Sequence, residues 1–165
     1  MTELEQSNRE LAEKVIKRAA EKSQTIGTVE SCTGGLISQY LTTVPGSSQV
    51  YHGSIVAYAN RIKLELVGVD PEVMMDNGAV SEETAFALAQ NGRQQLGTDL
   101  LISVTGIAGP GGDTPHKPVG LVYIGFAKPD GETLVKRFKF GAAGRDRVRE
   151  MATQEALRML NFYLA

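Results

Sequence analysis

A length of 165 residues with 42% hydrophobic and 22% charged residues favours one globular domain over 1–165 and excludes a disordered chain. A net charge of -2, with Lys and Arg spread along the chain, argues against nucleic acid as a partner. One cysteine, Cys32, excludes an internal disulfide, the separated His52 and His116 argue against a metal site, and no apolar run is long enough to cross a membrane.

The first part of the chain predicts helices and strands in alternation. Apolar residues at helical spacing indicate a helix from about Leu4 to Ala20. A strand over 25–29 then leads through a glycine turn into a helix that ends near Thr43, and a second strand covers 53–59. The connection between the two strands is long enough to hold a crossover helix, so we expect the strands to be parallel.

The middle of the chain predicts three helices. Asn60 is the predicted N-cap of a short helix over 61–67, and Asp70 followed by proline is typical of another helix start. Ser81 is the predicted N-cap of a longer helix over 82–96, which ends at a glycine. These helices separate the second strand from the third.

The last part of the chain predicts three strands and a closing helix. The apolar run over 100–104 is typical of a strand that is covered on both faces. Strands over 120–128 and 132–140 flank the turn sequence 129–131, so they should form an antiparallel hairpin. A helix over 145–164 follows. The elements together predict the α/β class: a three-layer α/β/α sandwich around a mixed, mostly parallel sheet of about five strands.

Reactive side chains follow the first strand directly, in the stretch Glu30-Ser31-Cys32-Thr33-Gly34-Gly35. A strand-turn-helix of this kind leaves unpaired N–H groups and the positive end of a helix dipole beside the hydroxyls of Ser31 and Thr33. Such a turn suits an anion or an oxyanion. The competing interpretation is a simple helix cap, because Ser and Thr are favoured N-caps and Gly is common in turns.

Parallel strands would bring further polar residues to the same edge of the sheet, where open α/β proteins bind ligands. Tyr58, Asn60 and Lys63 follow the second strand. A serine nucleophile needs a base, and without a suitably placed histidine Lys63 is the candidate, with Tyr58 to orient it or relay a proton. Burial would favour the neutral form of the Lys63 amine. Equally, Tyr58 could be a core residue and Lys63 an ordinary exposed lysine.

The glycine-rich segment over 105–113 follows the third strand and forms the third part of this edge. It lacks the Gly-Lys-Ser/Thr ending of a P-loop and the glycine spacing of a dinucleotide fingerprint, so a plain flexible loop is the competing interpretation. Cys32 is intrinsically a better nucleophile than Ser31, yet an isolated cysteine beside a strand is more often a packing residue. Arg145 and Arg149 could bind a phosphate or only solubilise the last helix.

Four motifs in this sequence match a known family. They are Glu30-Ser31-Cys32-Thr33-Gly34-Gly35, Tyr58-Ala59-Asn60 with Lys63, Thr105-Gly106-Ile107-Ala108-Gly109-Pro110-Gly111-Gly112, and Lys117-Pro118-Val119-Gly120. The chain resembles the CinA C-terminal domain family over nearly its whole length. Stand-alone members are nicotinamide-nucleotide amidases, which convert nicotinamide mononucleotide into nicotinic acid mononucleotide and ammonia in pyridine nucleotide recycling. The resemblance implies no metal and no cofactor.

The resemblance also assigns roles to residues. It implies that Ser31 is the nucleophile and that Lys63 and Tyr58 activate it. The expected substrate-binding residues are Thr33, Gly34, Gly35, Asn60, Thr105, Gly106, Gly109, Gly111 and Arg145. Where the family usually carries an acidic residue before the first arginine of the last helix, this chain has Gly144, which weakens the assignment of Arg145. We expect a cytoplasmic homo-oligomer, for example a dimer, that binds no nucleic acid or membrane. The alternative function is a non-catalytic nucleotide-binding or regulatory module.

Overall fold

The computed structural model describes every residue from Met1 to Ala165. Its elements are, in chain order, α1 (Glu3–Glu21), β1 (Ile26–Glu30), α2 (Leu36–Thr42), β2 (Tyr51–Val56), α3 (Asn60–Glu65), α4 (Pro71–Asn77), α5 (Glu82–Leu96), β3 (Leu100–Gly106), β4 (Leu121–Ala127), β5 (Thr133–Lys139) and α6 (Arg145–Tyr163). A single 3-10 turn over Ser47–Gln49 precedes β2. Every helix and strand predicted from the sequence is present.

The five strands form one sheet in the order β2-β1-β3-β4-β5. Strand β1 pairs in parallel with both β2 and β3, whereas β4 is antiparallel to its neighbours β3 and β5. The carboxyl ends of β1, β2 and β3 therefore lie at one edge of the sheet. The predicted α/β class and the mixed, mostly parallel sheet are confirmed, with the hairpin supplying the antiparallel strand.

Helices cover both faces of the sheet, which gives the predicted three layers. Helices α1, α2 and α6 pack together on one face, and α5 packs on the other against β1, β3 and β4. The alternation of side chains along β3 follows from strand geometry: Leu100 and Ile102 lie in the larger apolar core, and Leu101 between them lies in the smaller one.

Two glycines bring α5 unusually close to the sheet. A Cβ atom on Gly92 would lie 2.4 Å from Val29 Cγ2, and one on Gly125 would lie 2.4 Å from Ser103 Oγ. Ser103 Oγ also donates a hydrogen bond of 2.6 Å to the Ala85 carbonyl oxygen. Since larger residues would push the helix away, these glycines fix α5 against the strands whose ends carry the polar residues.

Two predicted boundaries around β2 are wrong. The strand spans Tyr51–Val56 instead of 53–59, so Tyr58 lies in the connection after it. Helix α3 has Ala59 as its N-cap, with φ -77 and ψ 148, and Asn60 is its first helical residue without a side-chain cap. Pairing ends early because the Ala57 N–H donates to the Glu30 carbonyl oxygen, the last one that β1 offers.

No helix is both long and apolar enough to cross a membrane.

Candidate active site

A cavity of about 270 Å³ opens at the carboxyl ends of the parallel strands. Its lining residues come from the turn after β1, the start of α3, the connection before α5, the end of β3 with the loop after it, and the start of α6. They are Ser31, Cys32, Tyr58, Asn60, Lys63, Ala79, Val80, Thr105, Gly106, Ile107, Ala108, Gly109, Gly111, Gly112 and Arg145. Nine residues predicted for the site are thus brought together, and Thr33, Gly34 and Gly35 are not among them.

Ser31 and Lys63 are in direct contact at the bottom of the cavity. Lys63 Nζ lies 2.9 Å from Ser31 Oγ, and the lysine side chain is only 2% exposed. The Ser31 N–H donates to the Val104 carbonyl oxygen at 3.0 Å, which ties the serine backbone to β3. The side chains come from the ends of different elements, so their meeting follows from the parallel pairing of β1 and β2.

The other contacts of the lysine amine define its orientation. Lys63 Nζ donates to the carbonyl oxygens of Ala57, at 2.8 Å, and Tyr58, at 3.1 Å. A neutral amine has two N–H bonds and one lone pair. With both N–H bonds directed to these carbonyls, the lone pair faces Ser31 Oγ. The geometry therefore accommodates a neutral lysine that accepts the serine proton.

Burial also changes the acidity of this amine. Desolvation lowers the pKa of Lys63 from 10.5 to about 8, and no carboxylate approaches it to oppose that shift. At pH 7 a group with this pKa is neutral in about a tenth of molecules, about 300 times the neutral fraction of an exposed lysine. The fold thus supplies a useful concentration of free base at neutral pH.

The turn after β1 is held by a side chain that sequence reasoning did not single out. The Glu30 carboxylate is fully buried and accepts hydrogen bonds from the N–H groups of Gly35, Ile37 and Ser38 at 3.0, 3.1 and 2.8 Å. It thereby occupies the N-terminus of α2, which the sequence suggested for a substrate anion. The helix end is thus capped, which is one of the two interpretations that the sequence left open, although the cap is Glu30 and not Ser31 or Thr33. An acidic residue at the end of a strand, directly before the turn into a helix, was the available signal.

Thr33, Gly34 and Gly35 support this turn from outside the cavity. Thr33 Oγ1 donates to Glu30 Oε2 at 2.7 Å, so the hydroxyl faces Glu30 instead of the cavity. Gly34 and Gly35 have φ angles of 61 and 96, a left-handed conformation that other residues rarely adopt. None of the three lines the cavity, so their expected contacts with a substrate stay a prediction.

Several backbone N–H groups at the cavity have no acceptor within the chain. The Cys32 N–H, which directly follows Ser31, is one, and those of Ala108, Gly109 and Gly111 in the loop are others. Residues 107–109 are buried, whereas Gly111 is exposed. Unpaired donors at a buried surface favour a negatively charged or strongly polarised oxygen. The cavity can thus receive both an oxyanion near Ser31 and an anionic group near the loop.

Tyr58 is oriented differently from the sequence expectation. The residue is 59% exposed, and its hydroxyl accepts a hydrogen bond of 2.7 Å from Arg145 Nη2. Only its backbone carbonyl contacts the Lys63 amine. The phenol is therefore part of the cavity rim, and a direct proton relay between Tyr58 and Lys63 has no contact to support it.

Arg145 spans the mouth of the cavity from the start of α6. Besides Tyr58 it contacts the glycine loop, through a hydrogen bond of 2.8 Å from Nη1 to the Gly109 carbonyl oxygen. Arg149, one turn further along α6, donates to the Thr33 carbonyl oxygen at 2.9 Å and so braces the turn after β1. Of the two arginines only Arg145 lines the cavity.

The remaining predicted residues form the walls. Asn60 is exposed at the start of α3, and Gly106, Gly109 and Gly111 form the wall after β3. Thr105 Oγ1 donates to the Ala79 carbonyl oxygen at 2.7 Å, so its hydroxyl holds the neighbouring wall in position. That wall, Ala79 and Val80, was missed because two small apolar residues between helices carry no chemical signal. No group of three or more His, Cys, Asp and Glu residues could hold a metal ion.

A family model described as the CinA C-terminal domain matches residues 8–164. The chain belongs to the CinA C-terminal domain family. Among the curated relatives, a CinA-like protein of Thermosynechococcus vestitus is 48% identical over 91% of this chain and 36% of its own length. A CinA-like protein of Anaeromyxobacter is 45% identical over 94% of the chain and 38% of its own length. The chain thus spans little more than a third of these relatives.

Solved structures of the CinA family agree with the fold. The crystal structure of a competence/damage inducible protein, CihA, from Agrobacterium tumefaciens superposes with a TM-score of 0.93 at 37% identity, covering 96% of this chain and 95% of that one. A competence or damage-inducible protein from Enterobacter asburiae gives a TM-score of 0.91 at 28% identity, covering 96% and 98%. The CinA-type architecture therefore extends over the whole site.

Cys32→Ala should leave the amide hydrolysis that the sequence predicts for this site largely unchanged. Burial raises the pKa of the Cys32 thiol to about 12, so almost no thiolate exists at neutral pH, and the lysine amine contacts the neighbouring Ser31 instead. We expect a turnover number within about threefold of the parent, measured on protein with a matched melting temperature. Loss of activity in the folded variant would instead indicate a thiol nucleophile.

Proposed function

We propose that this CinA-family domain hydrolyses the carboxamide of nicotinamide mononucleotide to nicotinic acid mononucleotide and ammonia. The observation that carries the proposal is the buried contact of 2.9 Å between Ser31 Oγ and Lys63 Nζ, in which the lysine pKa is lowered to about 8. An unactivated amide is a poor electrophile, so its hydrolysis needs an activated nucleophile and donors for the oxyanion. The site offers both.

The charge of the cavity supports a phosphorylated substrate. Two of its lining residues, Lys63 and Arg145, are basic, and none is a carboxylate. The unpaired N–H groups of the glycine loop add further donors beside Arg145. Arginine and backbone N–H groups are the usual ligands of phosphate in proteins. A mononucleotide fits this distribution, with its carboxamide at Ser31 and its phosphate at the mouth.

In the first half of the reaction Lys63 takes the Ser31 hydroxyl proton while Oγ forms a bond to the carboxamide carbon. The resulting oxyanion is stabilised by the free Cys32 N–H group. The C–N bond then breaks as Lys63 returns its proton to the leaving nitrogen, which departs as ammonia. This leaves an ester between Ser31 and the nicotinoyl group.

In the second half of the reaction water attacks the ester carbon, and Lys63 now takes a proton from that water. The bond to Ser31 Oγ breaks, and the proton passes from Lys63 to Oγ, which regenerates the hydroxyl. The released product is a carboxylic acid, which ionises at neutral pH. The same lysine acts as base and acid in both halves, as a group with a pKa near the working pH can.

We expect the specificity constant for nicotinamide mononucleotide to exceed that for nicotinamide riboside by about 100-fold. Two charge-assisted hydrogen bonds to the phosphate, each contributing about 1.5 kcal/mol, give a difference of this size. Ammonia release from each compound measures it, with Ser31→Ala as the blank. Arg145→Gln should reduce the advantage of the phosphorylated compound without affecting the riboside.

Two outcomes would contradict this assignment. Equal specificity constants for the two compounds would remove phosphate recognition from the proposal. Tight binding of the mononucleotide without any release of ammonia would instead support a non-catalytic nucleotide-binding module.

A further inference from the structure

Glu30 carries a carboxylate that the proposed reaction does not use. The side chain is fully buried, and no lysine or arginine contacts it. Its partners are instead the three N–H groups at the start of α2 and the hydroxyls of Thr33, at 2.7 Å, and Thr28, at 3.3 Å. A buried carboxylate without a cation is costly unless hydrogen bonds satisfy it, and these five donors do so.

The carboxylate controls the conformation of the nucleophile turn. Five residues, 31–35, separate the end of β1 from the start of α2, and two of them are left-handed glycines. The hydrogen bonds that Glu30 accepts from Thr33 and Gly35 hold this turn from within, while those that it accepts from the N–H groups of Ile37 and Ser38 anchor it to the helix. Ser31 lies inside the segment that these bonds enclose.

The same residue also connects to the lysine half of the site. The Glu30 carbonyl oxygen accepts a hydrogen bond of 2.8 Å from the Ala57 N–H, and the Ala57 carbonyl oxygen accepts one of 2.8 Å from Lys63 Nζ. One residue thus fixes the nucleophile turn through its side chain and the anchor of the base through its backbone. A shift in this residue would change the distance between the two reacting atoms.

We infer that Glu30 is a positioning residue for acylation. By occupying the N-terminus of α2 it holds Ser31 Oγ against Lys63 Nζ and leaves the Cys32 N–H group free for the oxyanion. This inference rests on the proposed function, because it assigns Glu30 a part in forming the same acyl-enzyme. A displacement of about 1 Å between reacting groups can cost about 100-fold in rate.

Glu30→Gln tests the inference, because the carboxamide keeps the size of the side chain but turns an NH₂ group toward N–H donors. We expect the turnover number to fall about 100-fold and KM to stay within about threefold of the parent. Turnover is normalised to the fraction of chains that bind nicotinamide mononucleotide, measured by calorimetric titration. A loss of folded protein lowers that fraction and leaves the normalised turnover unchanged, so a normalised value within about threefold of the parent would overturn the inference.

Thr33 offers a milder pair of variants for the case in which Glu30→Gln fails to fold. Thr33→Val keeps the side-chain shape and removes the donor to Glu30, whereas Thr33→Ser keeps the hydroxyl. We expect normalised turnover to fall about tenfold in the valine variant and to be restored in the serine variant. Equal turnover of the two variants would contradict a role for the Glu30 contact.

A substrate-independent measurement separates this inference from the proposed function. An alkyl fluorophosphonate reacts with an activated serine, forming an O–P bond and releasing fluoride. The parent should be labelled at Ser31, and Glu30→Gln should be labelled about 30-fold more slowly. Equal labelling rates would overturn the positioning role. Labelling of a parent that releases no ammonia from nicotinamide mononucleotide would contradict the proposed substrate alone.

Discussion

Ser31→Ala should lower the turnover number for nicotinamide mononucleotide by at least about a thousandfold. A loss of this size raises the barrier by about 4 kcal/mol, which is typical for the removal of a covalent nucleophile. The variant loses only one oxygen atom from a side chain that is 7% exposed. Its fold and its ground-state contacts with the substrate should therefore persist.

Three measurements distinguish loss of chemistry from loss of structure. The melting temperature of the alanine variant should match that of the parent, and calorimetric titration should give a similar dissociation constant for nicotinamide mononucleotide. Hydroxylamine, a competing nucleophile, should divert the acyl group of the parent to a hydroxamate and yield none with the variant. Near-normal turnover of Ser31→Ala would reject the covalent mechanism and favour direct attack by water.

The fold was predictable because its signals are local and mutually consistent. Helical periodicity, the apolar run over 100–104 and the turn at 129–131 each identify an element, and the crossover rule then makes β1, β2 and β3 parallel. The end of β2 was not predictable, because apolar residues continue through Ala59. Pairing there stops for a tertiary reason: β1 ends at Glu30 and offers no further backbone partner.

The assembly of the site was also predictable, whereas the orientation of its side chains was not. Parallel strands bring Ser31, Lys63 and Thr105 to one edge whatever their rotamers. The phenol of Tyr58 lies beside Arg145, which is 87 residues away in sequence, so no local pattern could indicate that contact. Long-range packing likewise decides that the Glu30 carboxylate, and not a substrate anion, caps α2.

Lys63→Met should lower turnover to about the same level as Ser31→Ala, and Lys63→Ala should do the same. Methionine has nearly the length of lysine and cannot accept a proton, so it removes the base while filling the buried site. Without a base the Ser31 hydroxyl is a weak nucleophile at neutral pH. Tyr58→Phe should lower turnover much less, because the variant keeps the backbone carbonyl that orients the lysine amine.

The parent should show the titration of the same lysine in its pH profile. The neutral form, which is the active one, dominates above the pKa of about 8, so the specificity constant should rise with pH and level off near pH 9. From this plateau down to pH 7 it should fall about tenfold. The profile is best recorded between pH 7 and pH 10, where the substrate phosphate stays fully ionised.

A double variant gives the sharpest test of whether Ser31 and Lys63 act in the same step. Ser31→Ala with Lys63→Met should be no slower than either single variant, because a base without its nucleophile has nothing to activate. The methionine variant should also be at least as stable as the parent at pH 7, since folding no longer buries a lysine that is mostly protonated at that pH. Above pH 8 the free energy of unfolding of the parent should rise relative to that of the methionine variant. In this range Lys63 is neutral in the folded parent but still protonated in the unfolded chain, so raising the pH disfavours unfolding. Effects that multiply in the double variant, each lowering turnover a further thousandfold, would show that Ser31 and Lys63 act in separate steps and would contradict the direct transfer of a proton between them.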